Sequence, residues 1–279
     1  MLLICIFSYT NNVLANNQGK IAIIIDDMGY NRHNLAFTDL PKTITFAILP
    51  FTPYSQKIAN AAHLQNREVI LHIPMQAQAN NHLLGKGALT EDMSKQQHQK
   101  ALTNALADVK YAIGVNNHMG SKLTEELTPM QWTMALLYKQ GLFFVDSVTT
   151  AKSVAEKSAV NAGLPDLKRS IFLDNVRTPQ AMEKQFKQAI EHSLNAPYTI
   201  MIGHPYPETL SYLSKRLNKP GKDYQLVKLS QLIPTEQRTM LAKRRGLNST
   251  QSTVKSTNNK VSNICDYPFL WSPPCLRNW

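Results

Sequence analysis

The alternation of apolar strand-like runs with helical stretches from Lys20 to about Leu232 predicts an α/β protein with a parallel sheet covered by helices. The first run, residues 21–25, is almost entirely β-branched, which is typical of a strand buried on both faces of such a sheet. The connectors between each strand-like run and the adjoining helical stretch are short. The pattern leaves open whether the sheet is open or closed into a barrel, and 279 residues suffice for one α/β barrel or two smaller domains.

Eight runs have the composition of strands. In chain order they cover 21–25, 44–49, 68–73, 111–115, 142–145, 170–173, 198–202 and 224–227. Three of the helices between them should begin where threonine precedes proline, because threonine caps a helix and proline suits its first turn. These pairs are Thr52-Pro53, Thr128-Pro129 and Thr178-Pro179. A glutamine three residues after the cap predicts capping boxes at Ser94 with Gln97 and at Thr128 with Gln131.

The positive charge of the chain is concentrated near its C-terminus. Of the formal net charge of +11, residues 237–279 contribute +6, from seven Lys/Arg against one Asp, and leave about +5 for residues 1–236. Because the body of the chain has no basic stripe and no nucleic-acid motif, we expect no nucleic-acid partner. We expect residues 20–235 to form the folded domain and residues 236–279 to be a basic, largely disordered tail.

Residues 1–15 are typical of a secretory signal. An apolar core, Leu2–Phe7, precedes a candidate signal-peptide cleavage site with small residues that ends at Ala15. We therefore expect an exported, periplasmic protein with no transmembrane span in the mature chain. A membrane anchor is the alternative, but this apolar stretch is far shorter than the roughly 20 residues that a span needs. Export would leave Cys265 and Cys275 able to pair after Cys5 is removed, and whether they do so stays open.

Two adjacent carboxylates, Asp26 and Asp27, stand where the first strand ends. Parallel α/β folds keep their active sites at that edge of the sheet. Two carboxylates so close together require a cation or a raised pKa to relieve their repulsion. The alternative is a pair of helix caps, since the next helix starts near Asn31. The dipeptide alone favours neither interpretation.

Further polar side chains follow the other predicted strands, so they should converge at the same edge of the sheet. They are His72, His118, Asp146, Ser147, Asp174, Asn175 and His204, with Arg169 at the start of one strand. Each has a structural alternative, because such histidines often only pack and Asp-Asn or Asp-Ser pairs often shape turns. The remaining histidines, which we interpret as surface residues, are His33, His63, His82, His98 and His192. The coincidence of so many polar strand ends favours a metal-assisted hydrolase.

Six segments between about Lys20 and Leu232 strengthen this interpretation. They are 25–29 (IDDMG), 67–75 (REVILHIPM), 114–121 (GVNNHMGS), 141–147 (GLFFVDS), 172–175 (FLDN) and 202–205 (IGHP). In these segments the chain resembles the divergent polysaccharide deacetylases, relatives of the NodB-type deacetylases. The resemblance implies an irregular (β/α) barrel of about seven parallel strands. It also implies metal-dependent removal of acetyl groups from an N-acetylated glycan.

The resemblance further implies a divalent metal, usually zinc, held by an aspartate and two histidines. Asp27 and His72 match the first two ligands, but the second histidine position falls on Gln76, which is a poor zinc ligand. We expect His118 to replace it. An Asp/His/His set leaves one position open for water, as catalytic zinc requires.

The same resemblance suggests roles for the other residues. Asp26 is expected to act as the general base and His204 to protonate the leaving amine, with Asp146 or Asp174 orienting His204. Backbone amides near Met75 would share the oxyanion charge. Substrate-binding residues are expected at Met75, Asn117, Ser121, Ser147 and Arg169.

Two other functions stay open. Loss of a ligand at Gln76 is compatible with a non-catalytic glycan-binding or envelope scaffold on a degenerate barrel, because a fold does not establish chemistry. A hydrolase of another ester or amide would keep the metal and change only the bond that is cleaved.

Overall fold

The computed structural model describes residues 18–218 and 221–246. Over these residues the chain forms one sheet of eight parallel strands. They are β1 (Gly19–Met28), β2 (Thr45–Ile48), β3 (Val69–Met75), β4 (Ala112–Met119), β5 (Phe143–Val145), β6 (Ile171–Phe172), β7 (Thr199–Gly203) and β8 (Tyr224–Leu226). The order across the sheet is β5-β4-β3-β2-β1-β7-β6, and β8 pairs with the start of β1. Every predicted strand overlaps one of these.

A backbone bridge between the two edge strands curls the sheet into a barrel. Asp146, which follows β5, donates its amide to the carbonyl of Leu167, and Arg169 donates its amide to the carbonyl of Asp146. This bridge lies just before β6 begins. The predicted irregular (β/α) barrel of about seven parallel strands is therefore confirmed. Its central strand, β1, is buried on both faces from Ile21 to Ile25, as its β-branched composition indicates.

Helices cover the outside of the sheet. They are α1 (Ser55–Leu64), α2 (Lys95–Asp108), α3 (Leu127–Gln140), α4 (Ala155–Asn161), α5 (Pro179–Asn195), α6 (Pro207–Arg216) and α7 (235–246). Ser94 and Gln97 form the predicted capping box of α2. Thr178 accepts the amide of Ala181 as the predicted cap of α5.

The predicted caps at Thr52 and Thr128 are wrong. The hydroxyl of Thr52 donates to the carbonyl of Leu49, and α1 begins only at Ser55. Helix α3 begins at Leu127, so Thr128 lies inside its first turn. Proline fits anywhere in a first turn, because those amides have no intrahelical partner, and a Thr-Pro pair therefore does not fix the first residue.

Helix α7 corrects the predicted start of the disordered tail, because residues 236–246 are folded. Leu241 is buried in the core. Arg244 donates to the hydroxyl of Tyr138 at 2.8 Å, and Arg245 donates to the carbonyl of Gly141. These apolar and arginine contacts anchor α7, although the composition of the segment as a whole is polar.

Several predictions lie outside the described residues. They concern the signal peptide at residues 1–15, the three cysteines, and the tail beyond residue 246. Within the part of the chain that is described, no helix has the length and apolarity needed to span a bilayer.

Candidate metal centre and active site

The end of β1 departs from regular strand geometry at its two aspartates. The pairing of β1 with β2 shifts register after Ile25, and Asp27 has a φ of 54°, in the left-handed region. Consecutive side chains of a regular strand point to opposite faces. Here both carboxylates approach one imidazole, because His72 Nε2 lies 3.7 Å from Asp26 Oδ2 and 3.1 Å from Asp27 Oδ1. The bulge thus aims both acids into one site, as bulges beside active sites often do.

The helix-cap alternative for these aspartates does not fit the structure. The element after β1 is a 3-10 helix, Arg32–Asp39, and its N-cap is Asn31. The side chain of Asn31 accepts the amide of His33 at 2.9 Å. Asp26 and Asp27 end before this cap.

The three predicted ligands meet at the carboxyl ends of β1, β3 and β4. One ligand atom from each of Asp27, His72 and His118 lies within 4.8 Å of the other two. Asp27 Oδ1 is 3.1 Å from His72 Nε2 and 2.8 Å from His118 Nδ1. The neighbouring strands β3 and β4 run in register here, with Pro74 opposite His118. The residues are therefore brought together as the sequence predicted.

The donor set fits a cation. Asp27 Oδ1 is buried, and among the described residues it has no hydrogen-bond partner, although two imidazole nitrogens lie close to it. The two imidazole nitrogens therefore lie close to Asp27 Oδ1, but neither is aligned to donate a hydrogen bond to it. Three converging ligand atoms of the Asp/His/His type match a zinc site that keeps one position for water.

Asn116 fixes which nitrogen of His72 faces this centre. Its Nδ2 donates to Asp26 Oδ1 at 2.8 Å, so its Oδ1 is the atom that lies 2.8 Å from His72 Nδ1. Since a carbonyl oxygen only accepts, His72 must carry its proton on Nδ1. The lone pair of Nε2 then faces Asp27 and His118. Such a partner orients metal-binding histidines and sets their tautomer.

The electrostatics of the centre also favour a positive ion. Burial raises the pKa of Asp26, and the charges of His72 and His204 offset only part of that rise. Burial would raise the pKa of Asp27 too, but the close approach and charge of His118 and His72 hold it well below its ordinary value. Burial lowers the pKa of His72, yet Asp26 and Asp27 outweigh it and raise that pKa. The negative charge of Asp26 and Asp27, which favours a second proton on His72 at Nε2, would attract a metal ion to the same position.

A second pair, His204 with Asp174, stands at the ends of β7 and β6. His204 Nδ1 lies 2.8 Å from Asp174 Oδ1, and Asp174 Oδ2 accepts both the amide of His204 and the hydroxyl of Thr209. Burial lowers the pKa of His204, but the hydrogen bond and charge of Asp174, with Asp26 and Asp27, raise it to about 9. Of the two acids predicted to orient His204, Asp174 makes the contact.

Asp146, the other acid considered for that role, is engaged elsewhere. Its Oδ1 accepts the amide of Val148 at 2.8 Å, and its Oδ2 accepts the hydroxyl of Ser153 at 2.7 Å. Burial raises the pKa of Asp146. Its contacts therefore shape the loop after β5 rather than orient His204.

Comparison with known proteins places the chain in a family. The model of the divergent polysaccharide deacetylases matches residues 23–233, a range that includes Asp27, His72 and His118 of the centre and the second pair, His204 with Asp174. The chain belongs to the divergent polysaccharide deacetylase family. The resemblance identified in the sequence is confirmed.

The chain is also similar to individual bacterial proteins. Uncharacterized protein YibQ of Escherichia coli (strain K12) is 38% identical over 216 residues, which cover 77% of this chain and 67% of YibQ. A Haemophilus influenzae protein is also 38% identical, over 220 residues that cover 78% of each chain. The crystal structure of uncharacterized protein ATU2773 from Agrobacterium tumefaciens C58 has the same fold, with a TM-score of 0.74 at 20% identity, covering 77% of this chain and 89% of that one.

In this deacetylase-family chain, Gln76 is not part of the ligand set. Its Nε2 donates to Glu91 Oε1 at 3.1 Å, and its Oε1 accepts the amide of Glu91 at 2.8 Å. Both ends of the side chain therefore hold the loop between β3 and α2. His118, from the neighbouring strand, supplies the third of the converging atoms instead.

Three of the predicted substrate-binding residues make contacts within the protein. Asn117 Oδ1 accepts the amide of Ser147, and its Nδ2 donates to the carbonyl of Met119. Ser147 is buried, and its hydroxyl accepts from Asn116. Ser121 accepts the amide of Gln78. These contacts build the loops around the centre.

The other two predicted substrate-binding residues, Arg169 and Met75, are also engaged within the protein. Arg169 donates to the carbonyls of Ser147 and Val148 at 2.7 and 2.9 Å, and Val148 has a φ of 49°, a strained value for a β-branched residue. Arg169 therefore holds a strained loop in place. Met75 is fully buried, and the next amide, that of Gln76, donates to the carbonyl of Leu89. That amide is not available to an oxyanion.

One histidine interpreted as a surface residue lies in the interior. His98 is buried, its Nε2 is 2.8 Å from the hydroxyl of Thr133, and burial lowers its pKa to about 4. His98 lies on the buried side of α2, which packs against α3. The histidines at 33, 63, 82 and 192 are exposed as predicted.

Proposed function

We propose that this protein is a metal-dependent hydrolase that removes the acetyl group from an N-acetylated sugar of an envelope glycan. One observation carries the proposal: Asp27, His72 and His118 converge beside Asp26, at the edge of the barrel that also holds His204. The proposal joins this geometry to membership of the divergent polysaccharide deacetylase family.

Asp27, His72 and His118 would hold a divalent ion, for which zinc suits the ligand types. Bound there, the ion would supply Lewis-acid polarisation of the acetyl carbonyl and a lowered pKa for a water. The fourth position must stay open for this chemistry. Asn116 contributes by keeping the Nε2 lone pair of His72 directed at the site.

Asp26 and His204 would move the protons. Asp26 lies beside the ligands and accepts the proton of the attacking water, and burial raises its pKa toward the working pH, which improves a general base. His204, with a pKa of about 9, is protonated at neutral pH and donates its proton to the leaving amine nitrogen. Asp174 holds the Nδ1 side of His204 and leaves Nε2 as the donating atom.

A non-catalytic glycan-binding scaffold is the second candidate. Gln76 favours it, because both polar ends of that side chain bind Glu91 and the position contributes nothing to the centre. Under this alternative the same edge of the barrel would bind glycan without turnover. A hydrolase of a different ester or amide is distinguished only by the substrates it cleaves.

Metal stoichiometry of protein purified without chelator separates the first two candidates. We expect one tightly held equivalent that is lost in His72→Ala and His118→Ala, and acetate release from N-acetylated oligosaccharides that stops with chelator and returns with zinc. His63→Ala and His192→Ala, which replace exposed histidines, are the matched controls. Protein that is free of metal and still binds glycan would instead support the scaffold.

We also propose that the reaction takes place outside the cytoplasm. The apolar segment Leu2–Phe7 and the small residues that end at Ala15 support this location. Fusion of residues 1–25 to a reporter that is active only in the periplasm tests it, and an inactive fusion would contradict export.

A further inference from the structure

Five side chains form a continuous stack on one side of the centre, with His204 in the middle. The ring of His204 lies 5.8 Å from that of Tyr206 and 6.0 Å from that of Phe172. A guanidinium closes each end: Arg177 lies 4.6 Å from the Tyr206 centroid, and Arg169 lies 3.7 Å from the Phe172 centroid. Cation–π contacts of this kind hold an arginine plane against a ring.

The two arginines of the stack differ in what they bind. Arg169 is half-buried and donates to the carbonyls of Ser147 and Val148. Arg177 is exposed, and among the described residues its guanidinium donates no hydrogen bond and has no carboxylate within 4.0 Å. One arginine is thus committed to the fold, whereas the other is held in place with its donors available.

The surroundings of Arg177 favour an anion. Helix α5 begins at Pro179, two residues after Arg177, and α6 begins at Pro207, directly after Tyr206. The N-terminus of a helix carries partial positive charge. Of the acids whose charge reaches Tyr206, Asp174 is hydrogen-bonded to His204, and Asp27 lies with His118 in the centre. Glu208, in the first turn of α6, lies close enough to influence Tyr206 but does not pair with Arg177 within 4.0 Å.

We infer that Arg177 recognises an acidic substituent, with paired anionic oxygens, on the N-acetylated sugar. A planar guanidinium matches a carboxylate or phosphate in two parallel hydrogen bonds, and stacking on Tyr206 lowers the entropy lost when they form. The ring of Tyr206 separates Arg177 from His204, whose proposed target is the amine nitrogen of the same sugar, so an acidic substituent of that sugar would lie on the far side of this ring. The inference rests on the proposed function and narrows its substrate to an anionic amino sugar.

Equilibrium binding tests this, measured by calorimetry in the Asp26→Asn background so that turnover does not deplete the ligand. The matched ligands are a disaccharide containing N-acetylmuramic acid and its methyl ester, and N-acetylglucosamine 6-phosphate with N-acetylglucosamine. We expect at least one acidic member to bind tenfold or more tightly than its neutral partner. Arg177→Ala should abolish that preference and Arg177→Lys should retain part of it, while the charge control Lys187→Ala, on the exposed side of α5, should leave it intact.

Any of three results would overturn the inference. They are equal affinity for both members of each pair, a preference for the acidic member that survives Arg177→Ala, and failure of all four sugars to bind. Turnover of wild-type protein separates this result from the proposed function. Hydrolysis of neutral and acidic substrates at equal kcat/KM would keep the hydrolase and reject acid recognition. A preference in binding without hydrolysis of any substrate would keep acid recognition and reject the hydrolase.

Discussion

The side-chain amide of Asn116 lies 2.8 Å from the ring of His72 and, through its other end, 2.8 Å from the carboxylate of Asp26. One residue therefore orients a ligand of the candidate metal centre and the candidate base together. It comes from β4, two residues before His118. The strand that carries the candidate ligand His118 thus also carries the residue that positions His72 and Asp26.

Replacing Asn116 should weaken metal binding without removing a ligand. In Asn116→Ala the Nδ1 proton of His72 loses its acceptor, so the ring is free to change tautomer and orientation. We expect the metal dissociation constant to rise about 10–100-fold, as is typical for such partners. Competition with a chromophoric chelator measures the constant. Asn195→Ala, an exposed change at the end of α5, is the control, and equal constants for wild type and Asn116→Ala would contradict the role.

Asp26→Asn separates proton transfer from metal binding. Asp26 Oδ2 is 3.7 Å from His72 Nε2 but is not one of the three converging ligand atoms. We expect metal content to stay near the wild-type value while kcat falls by about 10²–10⁴, because the general base is lost and the shape of the side chain is kept. Metal analysis and acetate release on the same preparation check both halves. Unchanged turnover would exclude Asp26 as the base.

The architecture was predictable because burial of a parallel sheet leaves a strong apolar pattern. All eight strand runs were recovered, and the convergence of their polar ends follows from parallel topology. The bulge at Asp27 was not predictable, since a positive φ in an aspartate depends on how β1 pairs with β2. Asn116 was missed because asparagine next to asparagine is also typical of turns. The folding of α7 depends on contacts with α3 and β4 that its polar composition does not reveal.

The His204–Asp174 pair should be visible in a pH titration. In protein freed of divalent ions we expect the His204 resonances to titrate near pH 9, and Asp174→Asn to bring the pKa down toward its ordinary value. Because the folded pKa lies above the value of about 6.5 for an unfolded chain, the pair stabilises the fold fully below pH 6.5. That contribution is lost as the pH rises through about 9. Two-dimensional NMR of the histidine rings measures the pKa, and a value near 6.5 in the wild type would refute the coupling.

Two glycines with similar backbone angles test how α7 docks. Gly141 has a φ of 72°, and a Cβ there would overlap the carbonyl oxygen of Leu241 on α7. Gly163 has a φ of 77°, but its Cβ would meet only Tyr138 at an ordinary 3.5 Å.

Alanine at either position should cost about 1–2 kcal/mol for the left-handed backbone, and Gly141→Ala should cost about 1–3 kcal/mol more because backbone atoms of α7 must move. Urea unfolding of both variants measures the difference in the free energy of unfolding. In a shorter chain that ends at residue 234, the two substitutions should lower the free energy of unfolding by equal amounts. Without α7 each alanine has the same left-handed backbone strain, and the Cβ at residue 141 no longer overlaps α7. Equal losses in the full-length chain would mean that α7 does not pack on Gly141.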